Sequence, residues 1–105
     1  MRDPAATMMF VGSLSVDLLL GDVHSLKEKR GVVRPIVAEL VRKFPVSAAE
    51  VGDQDLHRRA LIGVAVVAAD AGHVREVLDA CERVVAGRPE IEVLSARQKL
   101  YGDDD

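Results

Sequence analysis

Four segments of the chain carry the hydrophobic pattern of β-strands. In residues 8–20 one parity is almost wholly apolar, whereas the other mixes apolar residues with serines and an aspartate. This predicts a strand with one buried face and one mixed face. Residues 59–69 are apolar on both parities after the first residue, which is typical of a central strand covered on both faces. Two further strand patterns occupy residues 46–51 and 90–100.

Two further segments carry the longer period of an amphipathic helix. Apolar residues recur at steps of three, four and seven through residues 25–44, which predicts a helix with a core-wide stripe. Ser25 and Glu28 form a capping-box pattern at its start. A second helix is predicted between Asp70, a good N-cap residue, and Gly87, which precedes a proline.

Pro35 interrupts the first helical pattern and leaves two interpretations open. Proline removes the N–H that would bond to the carbonyl of Gly31, and its ring crowds that carbonyl. We favour one bent helix, with Gly31 easing the bend. The alternative is a turn over residues 26–30 followed by a new helix that has Pro35 at its first position.

The order βαββαβ predicts an α+β, ferredoxin-like fold, with an antiparallel four-stranded sheet and two helices on one face. Strand adjacency and crossover handedness place the first and third strands in the centre and the other two at the edges. Such a sheet has one uncovered face, yet the third strand is apolar on both parities. Because an exposed apolar patch usually marks an interface, we expect a homodimer that forms through this face or an edge strand.

Composition sets limits on the class of protein. The chain has 105 residues, of which 49% are hydrophobic, and a formal net charge of −3, so neither a disordered chain nor a polycation is expected. Residues 8–100 are predicted to form one domain, residues 1–7 a disordered arm and residues 101–105 an acidic tail. Cys81 lies at helical spacing among valines and leucines, which predicts a packed side chain. No segment has the length of a membrane span or the pattern of a secretory signal, so a cytoplasmic location is expected.

Positive charge is concentrated around the first helix. Lys27, Arg30 and Arg34 are spaced three and four residues apart, so they share one side of the helix. The positive end of the helix dipole disfavours cations near the helix N-terminus, and an anionic partner would explain why they are there. The alternative is a solvated face paired with Glu28 and Glu39. The candidate nucleic-acid- or anion-binding residues are Lys27, Lys29, Arg30, Arg34 and Arg42, with Arg42 continuing the row if the helix bends little and Lys29 lying off it.

The connection over residues 50–59 is rich in polar side chains. A structural network is expected there, in which Arg59 ties the loop to Glu50 or Asp55. Acid–base or metal chemistry involving His57 is the alternative. The three histidines lie at separate junctions, and no nucleophile motif or phosphate-binding glycine loop is present. We therefore predict no cofactor, no metal, no catalytic residue and no enzymatic activity.

Several short motifs together resemble the YlxP-like family of small bacterial domains of unknown function. In order, they are MFVG at 9–12, SLKEKR at 25–30, FPVSAAEV at 44–51, QDL at 54–56, RA at 59–60 and GVA at 63–65. The resemblance implies a ferredoxin-like fold. It also implies an association with RNA or ribosome assembly, because genes of this family often lie among genes for transcription termination and translation initiation.

Two hypotheses about function follow. The first is a non-enzymatic domain that binds structured RNA or a ribosomal particle through the basic helix and has no membrane partner. The alternative is a dimeric small-molecule-sensing module, with a metabolite near the loop at residues 20–25.

Overall fold

The computed structural model describes residues 8–102, and its elements follow the predicted order. Residues 1–7, predicted to form an arm, and residues 103–105 of the predicted acidic tail lie outside the described residues. The elements are β1 (Phe10–Leu20), α1 (Leu26–Lys43), β2 (Ser47–Gly52), β3 (Arg59–Ala68), α2 (Ala71–Ala86) and β4 (Ile91–Tyr101). Neither helix combines the length and the hydropathy that crossing a bilayer requires.

The four strands form one antiparallel sheet in the order β2-β3-β1-β4. The predicted ferredoxin-like fold is therefore confirmed, with β1 and β3 in the centre and β2 and β4 at the edges. Alternate residues of both central strands are buried under the helices. In β1 these are Leu14, Val16, Leu18 and Leu20, and in β3 they are Ala60, Ile62, Val64 and Val66.

Gly12 lies where α2 crosses β1 closely. A Cβ atom at this position would lie 2.3 Å from Cγ1 of Val74 and 2.9 Å from Cδ1 of Leu78. Close approach of α2 to the sheet therefore requires a residue without a side chain here. Further along α2, Cys81 is fully buried, and this burial raises the pKa of its thiol to about 11. The prediction that Cys81 is a packed side chain is confirmed.

The first helix continues through Pro35 as one element, which confirms the prediction of a single helix. Its start is fixed by two contacts: the Ser25 hydroxyl accepts from the backbone N–H of Glu28 at 3.1 Å, and Oε2 of Glu28 accepts from the N–H of His24 at 2.8 Å. At the proline itself, the Arg88 guanidinium donates to the carbonyl of Pro35 at 3.2 Å. The loss of one helix hydrogen bond is thus tolerated in a helix that is capped at its start and held at its middle by Arg88.

On the open face of the sheet, turned away from the helices, β1 and β3 have small residues in the middle, and β4 places the exposed side chains of Arg97 and Lys99 beside them. By register, Ser13 and Ser15 of β1 lie opposite Ala65 and Gly63 of β3. Val67, which is 61% exposed, lies on this face towards one end of the sheet. The apolar residues at both odd and even positions of β3 predict an apolar open face. The centre of this face is less apolar than that prediction.

Candidate nucleic-acid interface

Lys29 is buried, unlike the other cations predicted to bind anions. Only 2% of this residue is exposed, because it continues the buried side of α1 formed by Val33 and Ile36. Its Nζ lies 2.8 Å from Oε2 of Glu50 and donates to the carbonyl oxygen of Asp53 at 2.5 Å. Lys29 is therefore removed from the predicted anion-binding set, since its charge is already neutralised inside the protein.

The Lys29–Glu50 pair fastens α1 to the edge strand β2. Glu50 Oε2 is itself inaccessible to solvent and has no aligned hydrogen bond, so the contact with Lys29 is mainly Coulombic. A charge buried without its partner would be strongly unfavourable. The pair thus links the helix to the strand, with the Lys29 side chain almost completely buried.

The four other predicted cations remain exposed. Lys27, Arg30, Arg34 and Arg42, which we call the basic face, make no ion pair or side-chain hydrogen bond with any residue from 8 to 102. The structure therefore concentrates uncompensated positive charge on one helix of a chain whose formal net charge is −3.

The two acids expected to neutralise the basic face are occupied elsewhere. Glu28 accepts from the backbone at the helix start. Glu39 lies 2.7 Å from Nζ of Lys43 and 2.8 Å from a terminal nitrogen of Arg88. Hydrogen bonds from Lys43 and then Arg88 lower the pKa of Glu39. The predicted alternative, in which the cations of the basic face pair with Glu28 and Glu39, is therefore wrong.

A shallow groove of about 390 Å³ runs across this helix surface, lined by Lys27, Arg30, Gly31, Arg34 and Pro35. The space beside Gly31 is open, since a Cβ atom there would meet nothing within 4 Å. Three cations on successive turns of one helix face repel, and an anion between them relieves that repulsion. Guanidinium groups present several N–H donors in a planar fork, which matches the oxygens of a phosphate. The groove can therefore hold a phosphate group.

The polar connection over residues 50–59 is organised differently from the prediction. Arg59 donates to Asp17 at 2.6 Å and does not pair with Glu50 or Asp55, so the predicted tie is wrong. The reason is geometric: Arg59 lies on the open face of the sheet, whereas Glu50 reaches Lys29 on the helix-covered face. Asp55 is exposed and forms no ion pair within residues 8–102. Asp17 is the residue that the prediction missed, although it is the sole charged residue in β1.

Arg88 is a second residue that sequence reasoning missed. It follows α2 and donates to Glu39 of α1 at 3.1 and 2.8 Å and to Glu90 at 3.2 Å. This contact joins residues 49 positions apart and has no local sequence signal. Within residues 8–102, no group of three histidine, cysteine, aspartate or glutamate side chains is placed to hold a metal ion.

The fold and this surface define a small ferredoxin-like domain with one basic helix face. Residues 11–98 match the model of a family described as "Protein of unknown function (DUF503)". The chain is also 33% identical over 91 residues to "Uncharacterized protein YlxP" from Bacillus subtilis (strain 168), covering 87% of this chain and 99% of that relative. The chain therefore belongs to the DUF503 family, and the YlxP-like resemblance is confirmed. Neither description names an activity.

Proposed function

We propose that this protein is a non-enzymatic, cytoplasmic domain that binds structured RNA, in or near a ribosomal particle, through the basic face of α1. The observation that supports this most strongly is the set of four exposed cations without partners in residues 8–102, on one helix of an acidic chain. Side chains of this kind contact phosphates, which gives affinity and position without sequence choice.

The open face of the sheet is a poor alternative surface for RNA. Ferredoxin-like domains that bind RNA on the sheet stack bases on aromatic residues of their central strands. In β1 the aromatic residue is Phe10, which packs against the core, and β3 has none. The open faces of these two strands carry small, aliphatic and polar side chains instead. Contact with RNA therefore belongs to α1, where phosphate oxygens rather than bases are recognised.

Reversing three charges of the basic face should weaken RNA binding strongly. We expect the variant with Lys27, Arg30 and Arg34 all changed to glutamate to bind a structured RNA at least about tenfold more weakly at moderate salt, since it loses three phosphate contacts. Filter binding with a ribosomal RNA fragment measures this directly.

The matched comparison is between two double variants, one with Arg30 and Arg34 changed to glutamate and a control with Arg75 and Arg83, two exposed cations of α2, changed to glutamate. The side chains of Arg75 and Arg83 also make no ion pair within residues 8–102, and the substitutions produce the same change in net charge. The control should retain most of the affinity. Equal losses in both variants would show that net charge alone governs binding, and no retention by the wild type would end the proposal.

We also propose that the domain self-associates through the open face of its sheet. Sheets pack face to face about 10 Å apart, and the small residues of β1 and β3 at the centre of this face allow that approach, with Arg97 and Lys99 of β4 at its side. The exposed apolar side chains Val51, Val67 and Tyr101 are then available for burial against a second molecule.

Sedimentation equilibrium at micromolar concentration should give twice the monomer mass. Ala65→Arg places a charge on the exposed centre of the open face and should yield monomers. Ala86→Arg, at an exposed position at the end of α2, is the control and should leave the dimer intact. A wild type that sediments as a monomer throughout this range would contradict the proposal.

A further inference from the structure

A second groove lies on the other flank of the basic face, between α1 and the edge strand β2. Its volume is about 620 Å³. Val37 and Val41 of α1 form an apolar wall, and Ala48 of β2 forms part of the floor. Val41 is 49% exposed, a large fraction for an aliphatic residue beside a core. The groove exists because β2 offers alanines where larger side chains would fill the space.

The groove changes character along its length. Val37 and Val41 line one half, and Arg30 and Arg34 line the other, close to the Lys29–Glu50 pair. Both arginines lack a partner within residues 8–102. A ligand that fits the whole groove must therefore carry apolar groups at one end and negative charge at the other.

The backbone of β2 adds a third feature. Among the described strands, β2 pairs with β3 alone, so its outer edge is open. The N–H of Leu20 bonds to the carbonyl of Arg58, so by register the even-numbered residues of β3 bond to β1 and the odd-numbered ones to β2. Glu50 lies opposite Ile62, an even-numbered residue, and its backbone groups therefore point away from β3. Backbone groups two residues apart in a strand point the same way, so the N–H and carbonyl of Ala48 also point outward. A strand laid against this edge would find both groups available.

We propose that the groove between α1 and β2 binds an extended segment of a partner protein, which adds a strand to the edge of β2. Alternate side chains of an added strand would face α1. Those near Val37 and Val41 are apolar, and those near Arg30 and Arg34 are acidic. Backbone pairing at the edge with side chains seated in a neighbouring groove is an established mode of peptide recognition. The proposal does not depend on RNA binding, because a nucleic acid offers neither a strand backbone nor aliphatic side chains.

The probe is the peptide acetyl-Glu-Thr-Glu-Thr-Val-Thr-Leu-amide, titrated into the ¹⁵N-labelled protein and followed by NMR. We expect saturable shifts of the amides of Ala48 and Glu50, and of the α1 residues that line the groove. Replacing both Arg30 and Arg34 with glutamine should weaken binding about tenfold. A peptide with lysine in place of both glutamates should cause no shifts at the same concentration.

Ala38→Trp supplies an independent test, because Ala38 is exposed on α1 and lines the groove. The added ring occupies the groove without entering the core, so binding should be lost in a protein that stays folded. The proposal is overturned if the acidic peptide shifts no β2 amide or shifts another surface. It is also overturned if the same amides respond to protein concentration alone, as a second copy at the edge would cause, or respond to an RNA duplex and not to the peptide.

Discussion

Lys29→Met should lower the free energy of unfolding by about 3 kcal/mol, the cost expected when one partner of a buried ion pair is removed. Methionine preserves most of the packing volume at this buried position. Glu50 and the carbonyl of Asp53 lose the ammonium that contacts both of them. Urea denaturation followed by circular dichroism measures the change.

Two controls separate this effect from loss of charge in general. Lys27→Met removes an exposed cation of the same helix and should change stability by less than about 0.5 kcal/mol. Adding Glu50→Gln to Lys29→Met should recover part of the loss, because the unpaired buried carboxylate is gone. If Lys29→Met and Lys27→Met cost the same, Lys29 is not the buried anchor between α1 and β2.

Gly12→Ala should destabilise the protein by about 2 kcal/mol, within the range measured for overpacked cores. The new methyl group would overlap Cγ1 of Val74, and Val74 is β-branched, so its side chain has little freedom to move aside. Either α2 shifts away from β1 or the strand bends. Thermal unfolding should show a lower midpoint than in the wild type.

The same substitution at Gly31 should change the stability in the opposite direction. Gly31 lies inside α1 and a Cβ atom there meets no neighbour. Alanine is the better helix former, so Gly31→Ala should stabilise the protein by about 0.5–1 kcal/mol. If Gly31→Ala also destabilises the protein, the expected gain in helix propensity is contradicted. If Gly12→Ala leaves the stability unchanged, the close crossing of α2 over β1 is contradicted.

The sequence allowed the elements and their order to be predicted because their signals are local. The strand and helix periods, the Ser25 and Asp70 caps and the stop at Gly87 each depend on a few neighbouring residues, and the structure confirms them. The sheet order followed from general rules about connections rather than from particular contacts. A single α1 is favoured by a local signal as well, because the apolar stripe continues past Pro35 at helical spacing.

The roles of individual charged residues were harder to predict. Lys29 continues a buried row with Val33, Ile36 and Leu40, at steps of four, three and four, so a signal was present in the spacing. A charged residue on a core-facing row contradicts the usual pattern, and it is tolerated only because Glu50 arrives from another element. The Arg59–Asp17 and Arg88–Glu39 contacts likewise depend on which face of the sheet or helix each side chain occupies after folding.

The central claim is that the cations of α1 have two separate roles, an internal anchor at Lys29 and an exposed surface for RNA phosphates at Lys27, Arg30, Arg34 and Arg42. The most direct measurement is the dependence of the RNA association constant on salt concentration. Neutralising Arg30 or Arg34 with glutamine should reduce the steepness of the log–log plot by about one for each residue. Arg83→Gln should leave it unchanged. Slopes that do not differ between these variants, or a wild-type affinity that does not fall with salt, would contradict the claim.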